Sequence, residues 1–395
     1  MAAKLMSSRA PPAVADVESS HPIAHGSQLL LFISDSKARW SSRLKGALMG
    51  WHVEHTWNSL VVPAGVPALH ASVRSSGLRE GEAVRWCVQL KSFSERMAER
   101  CRKAGAHNLY DRIDGFLYLR QRQRYQRIDY WLENSVRSAN FLRGAEATQA
   151  GFEKVKSPTA VLAHPHSVEP ETTAARLRDV NSLQAPRNLL LVGDATHLPT
   201  AHERQALRSA ASGAGLVLTT FGELFSASSG SLGPSAANMT VDDIRRAQAA
   251  HHALYARVDM CLIWPPPKPT PFELLLRPVT RLVTCLAHGL PTVFHASYEN
   301  YLEVVREQPL LEAHTIATSD RHAAQLLRRL TSDRQLRERV SRDSLLLAER
   351  YSMRTLSRRY AALLLAASGR SSPAALNCSA SRSRGGGLVV FHGSC

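Results

Sequence analysis

The chain has 395 residues, of which 44% are hydrophobic and 21% are charged, a balance typical of a globular protein large enough for two ordinary domains. No uninterrupted apolar run reaches the roughly 18 residues of a membrane-spanning helix, so the sequence argues against a transmembrane segment and favours a soluble protein. The formal net charge of +16 at pH 7 suits an acidic ligand, either nucleic acid or a small molecule that carries a diphosphate.

The first residues and the cysteines bear on where the protein works. Residues 1–27 lack the apolar core of a secretory signal peptide and are predicted to form a disordered leader. The six cysteines are scattered without any CxxC pair, so the sequence predicts neither a zinc site nor a disulfide framework. We therefore expect a reducing compartment, and specifically a cytoplasmic location.

Short apolar runs alternate with helical patterns along the first half of the chain. Residues 28–34 (QLLLFIS), 84–91 and 159–163 are predicted to be buried strands, whereas 94–105 and 130–141 have helical patterns. Strands that alternate with helices indicate right-handed crossovers and a parallel sheet. The sequence thus predicts an α/β fold.

A second series of strands and helices follows a polar stretch. Residues 188–194 are predicted to form its first strand, which ends at Gly193 and Asp194, and residues 258–264 form a later one. A glycine after the first strand lets a phosphate approach the backbone closely, although no GxGxxG motif follows. Residues 326–365 are predicted to be mostly helical and are rich in arginine.

The most informative stretch is residues 272–294, FELLLRPVTRLVTCLAHGLPTVF. Its apolar residues recur at three- and four-residue steps, with Pro278 suited to the first helical position and Gly289 to the stop. A helix N-terminus offers free N–H groups and a partial positive charge, and Arg277 and Arg281 beside it would complete an anion site. The alternative is an ordinary helix whose arginines are merely solvated.

The same stretch resembles a known pattern. Arg277-Pro278-x-Thr280-Arg281, followed by Leu286-Ala287-x-Gly289-x-Pro291, resembles the donor-side helix of glycosyltransferases with the GT-B fold. In that family the start of this helix holds the ribose and diphosphate of a nucleotide sugar. The resemblance implies a donor site made of residues from the second half, namely Gly193, Asp194, Glu273, Arg277, Thr280, Arg281 and Thr284.

The first half is similar to the acceptor domain of the same family. The matching pieces are Gln89-Leu90-Lys91, Tyr110-Asp111 with Asp114, and the run that ends in His164-Pro165-His166. If the enzyme inverts, Asp114 and His164 are the candidate general bases, with His166 a third.

The resemblance also implies the architecture: two Rossmann-like domains that face each other across a cleft, with the C-terminal helices crossing back. The predicted segments are a leader (1–27), an acceptor domain (28–168), a linker (169–187), a donor domain (188–366) and a disordered tail (367–395). We expect a metal-independent transferase with no cofactor, which uses a nucleotide sugar as co-substrate and an unidentified glycan, lipid or small molecule as acceptor.

One departure from the family keeps other functions open. Many retaining members carry two glutamates in an E-x7-E motif, but Leu276 and Thr284 occupy those positions here, and Glu273 lies out of register. A non-catalytic protein that binds nucleotide or sugar phosphate, or a partner protein, is therefore one alternative. A second is single-strand nucleic-acid binding by residues 117–131, LYLRQRQRYQRIDYW, where arginines and tyrosines interleave.

Overall fold

A computed structural model describes fourteen stretches of the chain, which contain all the elements below. These are residues 29–33, 60–63, 85–90, 93–103, 105–112, 128–149, 155, 157–168, 170–179, 185–193, 198–226, 241–367, 379–382 and 388–392. Over these stretches, no helix combines the length and the apolar character needed to cross a membrane.

Strands and helices alternate along most of the described chain. The strands are β1 (Leu29–Ile33), β2 (Leu60–Pro63), β3 (Arg85–Leu90), β4 (His107–Asp111), β5 (Tyr130–Glu133), β6 (Thr159–Val161), β7 (Asn188–Leu191), β8 (Val217–Thr220), β9 (Met260–Ile263), β10 (Thr292–His295), β11 (Ile316–Ala317), β12 (Ser379–Arg382) and β13 (Leu388–His392). The helices are α1 (Glu95–Lys103), α2 (Val136–Arg143), α3 (Ala145–Gln149), α4 (Pro170–Asp179), α5 (Ala201–Ser212), α6 (Phe221–Ser226), α7 (Val241–Tyr255), α8 (Pro271–Leu275), α9 (Thr280–Ala287), α10 (Glu299–Val305), α11 (Pro309–Thr315), α12 (Asp320–Ser332), α13 (Arg334–Glu349) and α14 (Met353–Ala367).

The strands form two separate sheets. The first has the order β12-β13-β6-β5-β4-β3-β1-β2. Adjacent strands in it are parallel, except that β12 pairs with β13 in the antiparallel direction. The second has the order β11-β10-β9-β7-β8 and is parallel throughout. Two parallel sheets with helical crossovers confirm the predicted α/β fold class.

The C-terminal helices return to the first half of the chain, as predicted. The backbone N–H of His166 donates to the carbonyl of Tyr351 over 3.0 Å, and His166 forms an isolated parallel bridge with Ser352 at the start of α14. The main hydrophobic cluster also runs through both halves, from Trp86 on β3 to Leu364 on α14. The predicted domain boundaries themselves stay predictions.

Two sequence-based expectations need correction. The helical pattern predicted over 130–141 begins instead as strand β5, and the helix starts only at Val136 after its N-cap Ser135. The tail 367–395 was expected to be disordered, but it contains β12 and β13, because the apolar run Leu388–His392 pairs in parallel with β6.

A disulfide also contradicts the expectation of scattered, reduced cysteines. Cys87 on β3 and Cys101 on α1 are bonded, with their Cα atoms 6.1 Å apart and both side chains fully buried. Strand and helix are adjacent elements of one βαβ unit, so the pairing depends on their packing and leaves no CxxC signature. Cys261 and Cys285 are free and buried.

Reduction of the Cys87–Cys101 disulfide is expected to lower the free energy of unfolding by about 3 kcal/mol, the loop-closure entropy of a loop of roughly 15 residues. Urea denaturation with and without a reducing agent measures the change. A Cys87→Ala/Cys101→Ala double variant is the control, because it has no bond to lose. An equal response of both proteins to the reducing agent would contradict the prediction.

Candidate functional site

The second sheet has a topological switch point at its carboxyl edge. From β7 the chain passes through α5 to β8 on one side, then through α7 to β9 on the other side. Open parallel sheets bind their ligands at the carboxyl ends of strands beside such a reversal. Gly193 lies buried just after β7, whereas Asp194 lies outside the described residues.

Helix α9 connects β9 to β10 at this edge and begins with an uncapped N-terminus. Its N-cap residue, Val279, makes no side-chain hydrogen bond to the first turn. The hydroxyl oxygen of Thr280 is buried and has no hydrogen-bond partner among the described residues. The first N–H groups of the helix therefore face a site that also contains an unpaired hydroxyl.

The helix ends as the sequence predicts. Gly289, two residues after α9, has φ 64°, a left-handed conformation that glycine adopts without steric cost. A Cβ atom there would lie 3.1 Å from a side-chain carbon of Leu345 on α13. The tight packing of this turn fixes the direction in which α9 points.

Arg277 and Arg281 lie beside the N-terminus of α9 in different states. Arg277 is 9% exposed, and its Nη2 donates to Oε1 of Glu273 over 2.7 Å. Arg281 is half-buried and has neither a hydrogen bond nor an ion pair with any described residue. Two positive charges and a free helix terminus together favour an anionic ligand, and Arg281 is the group available to bind it.

Two stacked tyrosines of α10 and its N-cap pack near these arginines. The rings of Tyr298 and Tyr301 lie 4.7 Å apart and nearly parallel. Burial raises the pKa of both hydroxyls, while the charge of Arg281 opposes the rise. The hydroxyl of Tyr298 donates to the carbonyl of Trp264 over 3.1 Å and so ties this wall to the end of β9.

Trp264 and His295 are site residues that sequence reasoning missed. They follow and end β9 and β10 respectively, and their rings lie 4.8 Å apart in an edge-to-face arrangement. Nδ1 of His295 lies 2.7 Å from the hydroxyl oxygen of Ser297, and burial lowers the pKa of the imidazole. Their positions at strand ends are the signal that could have identified them.

The two positions of the E-x7-E motif contain no carboxylate, and the side chains at both positions are buried. Leu276 is 1% exposed and belongs to a hydrophobic cluster of the first half that includes Tyr110, Trp131 and Phe141. Thr284 is 6% exposed in the second turn of α9. Glu273, the nearest carboxylate, is instead the partner of Arg277.

Of the candidate bases of the first half, the structure describes His164 and His166. His164 is fully buried, with Nδ1 3.2 Å from the carbonyl oxygen of Pro165, and Asp114 lies outside the described residues. His166 is also buried, and its Nε2 lies 3.0 Å from the carbonyl oxygen of Ala348. Both described histidines are thus buried, and His166 contacts the second half at Ala348 and Tyr351.

Comparison with known proteins identifies similar structures but no family model and no curated protein. The pneumococcal O-GlcNAc transferase GtfA, solved with UDP and GlcNAc, is 11% identical with a TM-score of 0.43 over 76% of this chain, which spans 59% of that protein. Sucrose-phosphate synthase from Thermosynechococcus elongatus is 12% identical, with a TM-score of 0.46 over 85% of this chain and 98% of its own. WaaG, a glycosyltransferase involved in lipopolysaccharide biosynthesis, is 12% identical, with a TM-score of 0.42 over 85% and 99%.

Glycosyltransferases are among the solved structures that this chain resembles. The sequence around α9 resembles a motif of the same class.

Proposed function

We propose that the protein is a glycosyltransferase of the GT-B type that transfers a sugar from a nucleotide-sugar donor. The observation that supports it best is the N-terminus of α9, where the first N–H groups, the hydroxyl of Thr280 and the guanidinium of Arg281 lie together, all without a hydrogen-bond partner among the described residues. These groups suit a diphosphate, because guanidinium N–H groups and helix N-termini both bind phosphate oxygens. In this proposal Gly193 and Asp194 line the opposite wall, with Thr284 deeper in the site.

The chemistry proposed for the site is stabilisation of the leaving group. As the bond between sugar and diphosphate breaks, negative charge develops on the departing phosphate, and Arg281 with the α9 N–H groups stabilises it. Arg277 contributes once the ligand competes with Glu273 for its guanidinium. We propose that this route needs no metal and no cofactor, and that Asp114 or His164 acts as a base only if the reaction inverts the sugar.

A second candidate function has a specific observation in its favour. The position of the first glutamate in E-x7-E is Leu276, whose side chain packs among aromatic residues of the first half. A charged side chain would be costly there, so the packing around Leu276 disfavours the first glutamate of the retaining pattern. A non-catalytic protein that binds the same nucleotide ligands fits this feature.

The nucleic-acid alternative loses support at its one described end. Trp131 of the arginine- and tyrosine-rich run is 2% exposed, and its indole N–H donates to Glu133. A buried indole cannot serve as a stacking platform for a base.

Replacement of Arg281 by alanine is expected to weaken binding of a UDP-, GDP- or ADP-sugar roughly 10- to 100-fold, the equivalent of one lost charge-assisted contact of about 1.5–3 kcal/mol. Thermal-shift titration and calorimetry measure the affinity. Arg321→Ala is the matched control, because that arginine is exposed in the first turn of α12. Unchanged affinity in Arg281→Ala would refute the assignment of α9.

Turnover separates the two candidates. Slow hydrolysis or transfer of a bound donor supports the enzyme, whereas tight binding without turnover supports the non-catalytic protein.

The proposed cytoplasmic location is tested independently by counting the free thiols of Cys87 and Cys101 in protein isolated without exposure to oxidants.

A further inference from the structure

Helix α2 of the first half begins without an acidic residue of its own. The hydroxyl of Ser135 accepts from the N–H of Ser138, but the first turn contains no Asp or Glu. The N–H groups of Val136 and Arg137 donate instead to the carboxylate of Glu303 on α10, over 3.1 and 2.6 Å. The second half thus supplies the carboxylate that caps a helix of the first half.

The same face of α10 makes a second contact with α2. Glu299, one turn before Glu303, forms an ion pair with the guanidinium Nε of Arg137. Both side chains are partly exposed, so this pair lies at the rim of the contact and not in its centre. Two carboxylates spaced by four residues therefore face the N-terminus of α2 from one side of α10.

A third contact links this interface to the anion site. Nδ2 of Asn300 donates to the backbone carbonyl of Arg277 over 2.8 Å, and its Oδ1 accepts from the hydroxyl of Ser135 over 2.7 Å. Asn300 is 1% exposed. One buried amide therefore holds both the N-cap of α2 and the backbone that leads into α9.

Apolar side chains of helix α8 and its C-cap also contact the first half. Phe272 stacks on Phe141 of α2 with ring centroids 5.1 Å apart, and Leu276 lies inside the cluster of the first half. The segment that carries Glu273 and Arg277 is therefore held between the two halves.

We propose that Glu299, Asn300 and Glu303 form a clamp that positions α2 of the first half against the anion site, with Asn300 as the positioning residue for Arg277. The contact between the two halves does not depend on the proposed function. The effect of the clamp on donor binding does, because it requires that Arg277 and α9 bind the donor. Burial raises the pKa of Glu303, and the two backbone N–H groups oppose that rise, as expected for a carboxylate enclosed by an interface.

The clamp is tested first without any ligand. Glu303→Ala is expected to raise the radius of gyration in small-angle scattering above that of the unchanged protein, for which compact packing predicts about 21 Å. It should also speed hydrogen exchange of the Val136 and Arg137 amides. Glu312→Ala is the control, because Glu312 lies on α11 and its ion pair with Arg306 is within the second half. A lower melting temperature with unchanged radius and exchange would overturn the proposal.

If Glu303→Ala does not fold, charge reversal at the ion pair between Arg137 and Glu299 tests the clamp instead. Arg137→Glu alone should open the contact, and Arg137→Glu combined with Glu299→Arg should restore the original radius and exchange rates. The same exchange at Arg208 and Glu223, an exposed pair within the second half, should leave both quantities unchanged. Failure of the double variant to restore closure would contradict the clamp.

Donor binding distinguishes the two proposals. Asn300→Ala should weaken UDP-sugar binding about tenfold, the equivalent of one lost hydrogen bond of about 1.4 kcal/mol, and also open the contact. If the unchanged protein binds no nucleotide sugar, the proposed function fails while scattering and exchange still test the clamp. If Asn300→Ala opens the contact but binds the donor normally, the positioning of Arg277 is wrong.

Discussion

Replacement of Arg112 by alanine is expected to lower the free energy of unfolding by about 3–5 kcal/mol, the cost of removing one partner of a buried ion pair. Arg112 and Glu133 follow and end β4 and β5 and are both fully buried. The guanidinium donates twice to the carboxylate, from Nε over 2.9 Å and from Nη2 over 2.6 Å. Among the described residues, the buried carboxylate of Glu133 would then keep hydrogen bonds from Trp131 and Ser138 alone, and the loss of its cationic partner is costly in a site without water.

Guanidinium chloride denaturation measures this loss. Arg208→Ala is the matched control, because Arg208 pairs with Glu223 over 2.6 Å but both side chains are more than 40% exposed, and such pairs contribute about 1 kcal/mol or less. The double variant Arg112→Met/Glu133→Leu should recover much of the stability, since it leaves no unpaired charge. A loss below about 1 kcal/mol in Arg112→Ala would show that the pair is solvated.

Acidification from pH 6.5 to 4 is expected to lower the free energy of unfolding steeply. Burial lowers the pKa of His166, His251 and His252 from 6.5 to about 4, and that of His288 to about 2. Over this interval the unfolded chain binds protons that the folded chain does not, so stability is full above pH 6.5 and falls as the pH drops. Each such histidine contributes a slope of about 1.4 kcal/mol per pH unit.

The contacts of these histidines explain why they remain neutral. Nδ1 of His252 lies 3.0 Å from Nε2 of His288, and two imidazolium ions at that distance would repel each other. The other nitrogen of His252 lies 2.9 Å from the hydroxyl oxygen of Ser167. Tyr255 stacks on His288, and the charge of Arg176 further disfavours its protonation.

Denaturation at several pH values checks the acid effect. His252→Gln should reduce the slope by about one histidine's share, whereas His202→Gln should not change it, because His202 is exposed on α5. Stability that stays constant between pH 6.5 and 4.5 would contradict the neutral, buried state of the cluster. Glu303 and Asp343, whose pKa values are raised by burial, contribute in the opposite direction at the lower end of this range.

The parts of the fold that the sequence predicts best are those with strong local signals. The helix after Pro278 and its stop at Gly289 were predicted because apolar spacing and glycine chemistry act over a few residues, although the helix begins two residues later, at Thr280. Strand β5 was missed because it has only four residues and its apolar pattern continues into α2.

The features that depend on distant contacts could not be predicted. The Cys87–Cys101 bond requires the packing of α1 on β3, which spacing alone does not reveal. Glu303 has the appearance of an ordinary helical glutamate, and its role at α2 arises only because α10 contacts a helix more than 160 residues earlier. At the N-terminus of α9, residue types select Arg277, Thr280 and Arg281 as candidates, but they do not show that Arg277 is already paired with Glu273.

The position of β13 has a consequence for how the protein is made. Because this strand lies against β6 in the first sheet, the whole second sheet is topologically an insertion between two neighbours of the first. A ribosome therefore releases β1 to β6 long before the strand that covers the edge of β6 has been synthesised. Until then β6 is an open sheet edge, a surface on which nascent chains can pair with one another. Once synthesised, β13 covers this edge and blocks such pairing.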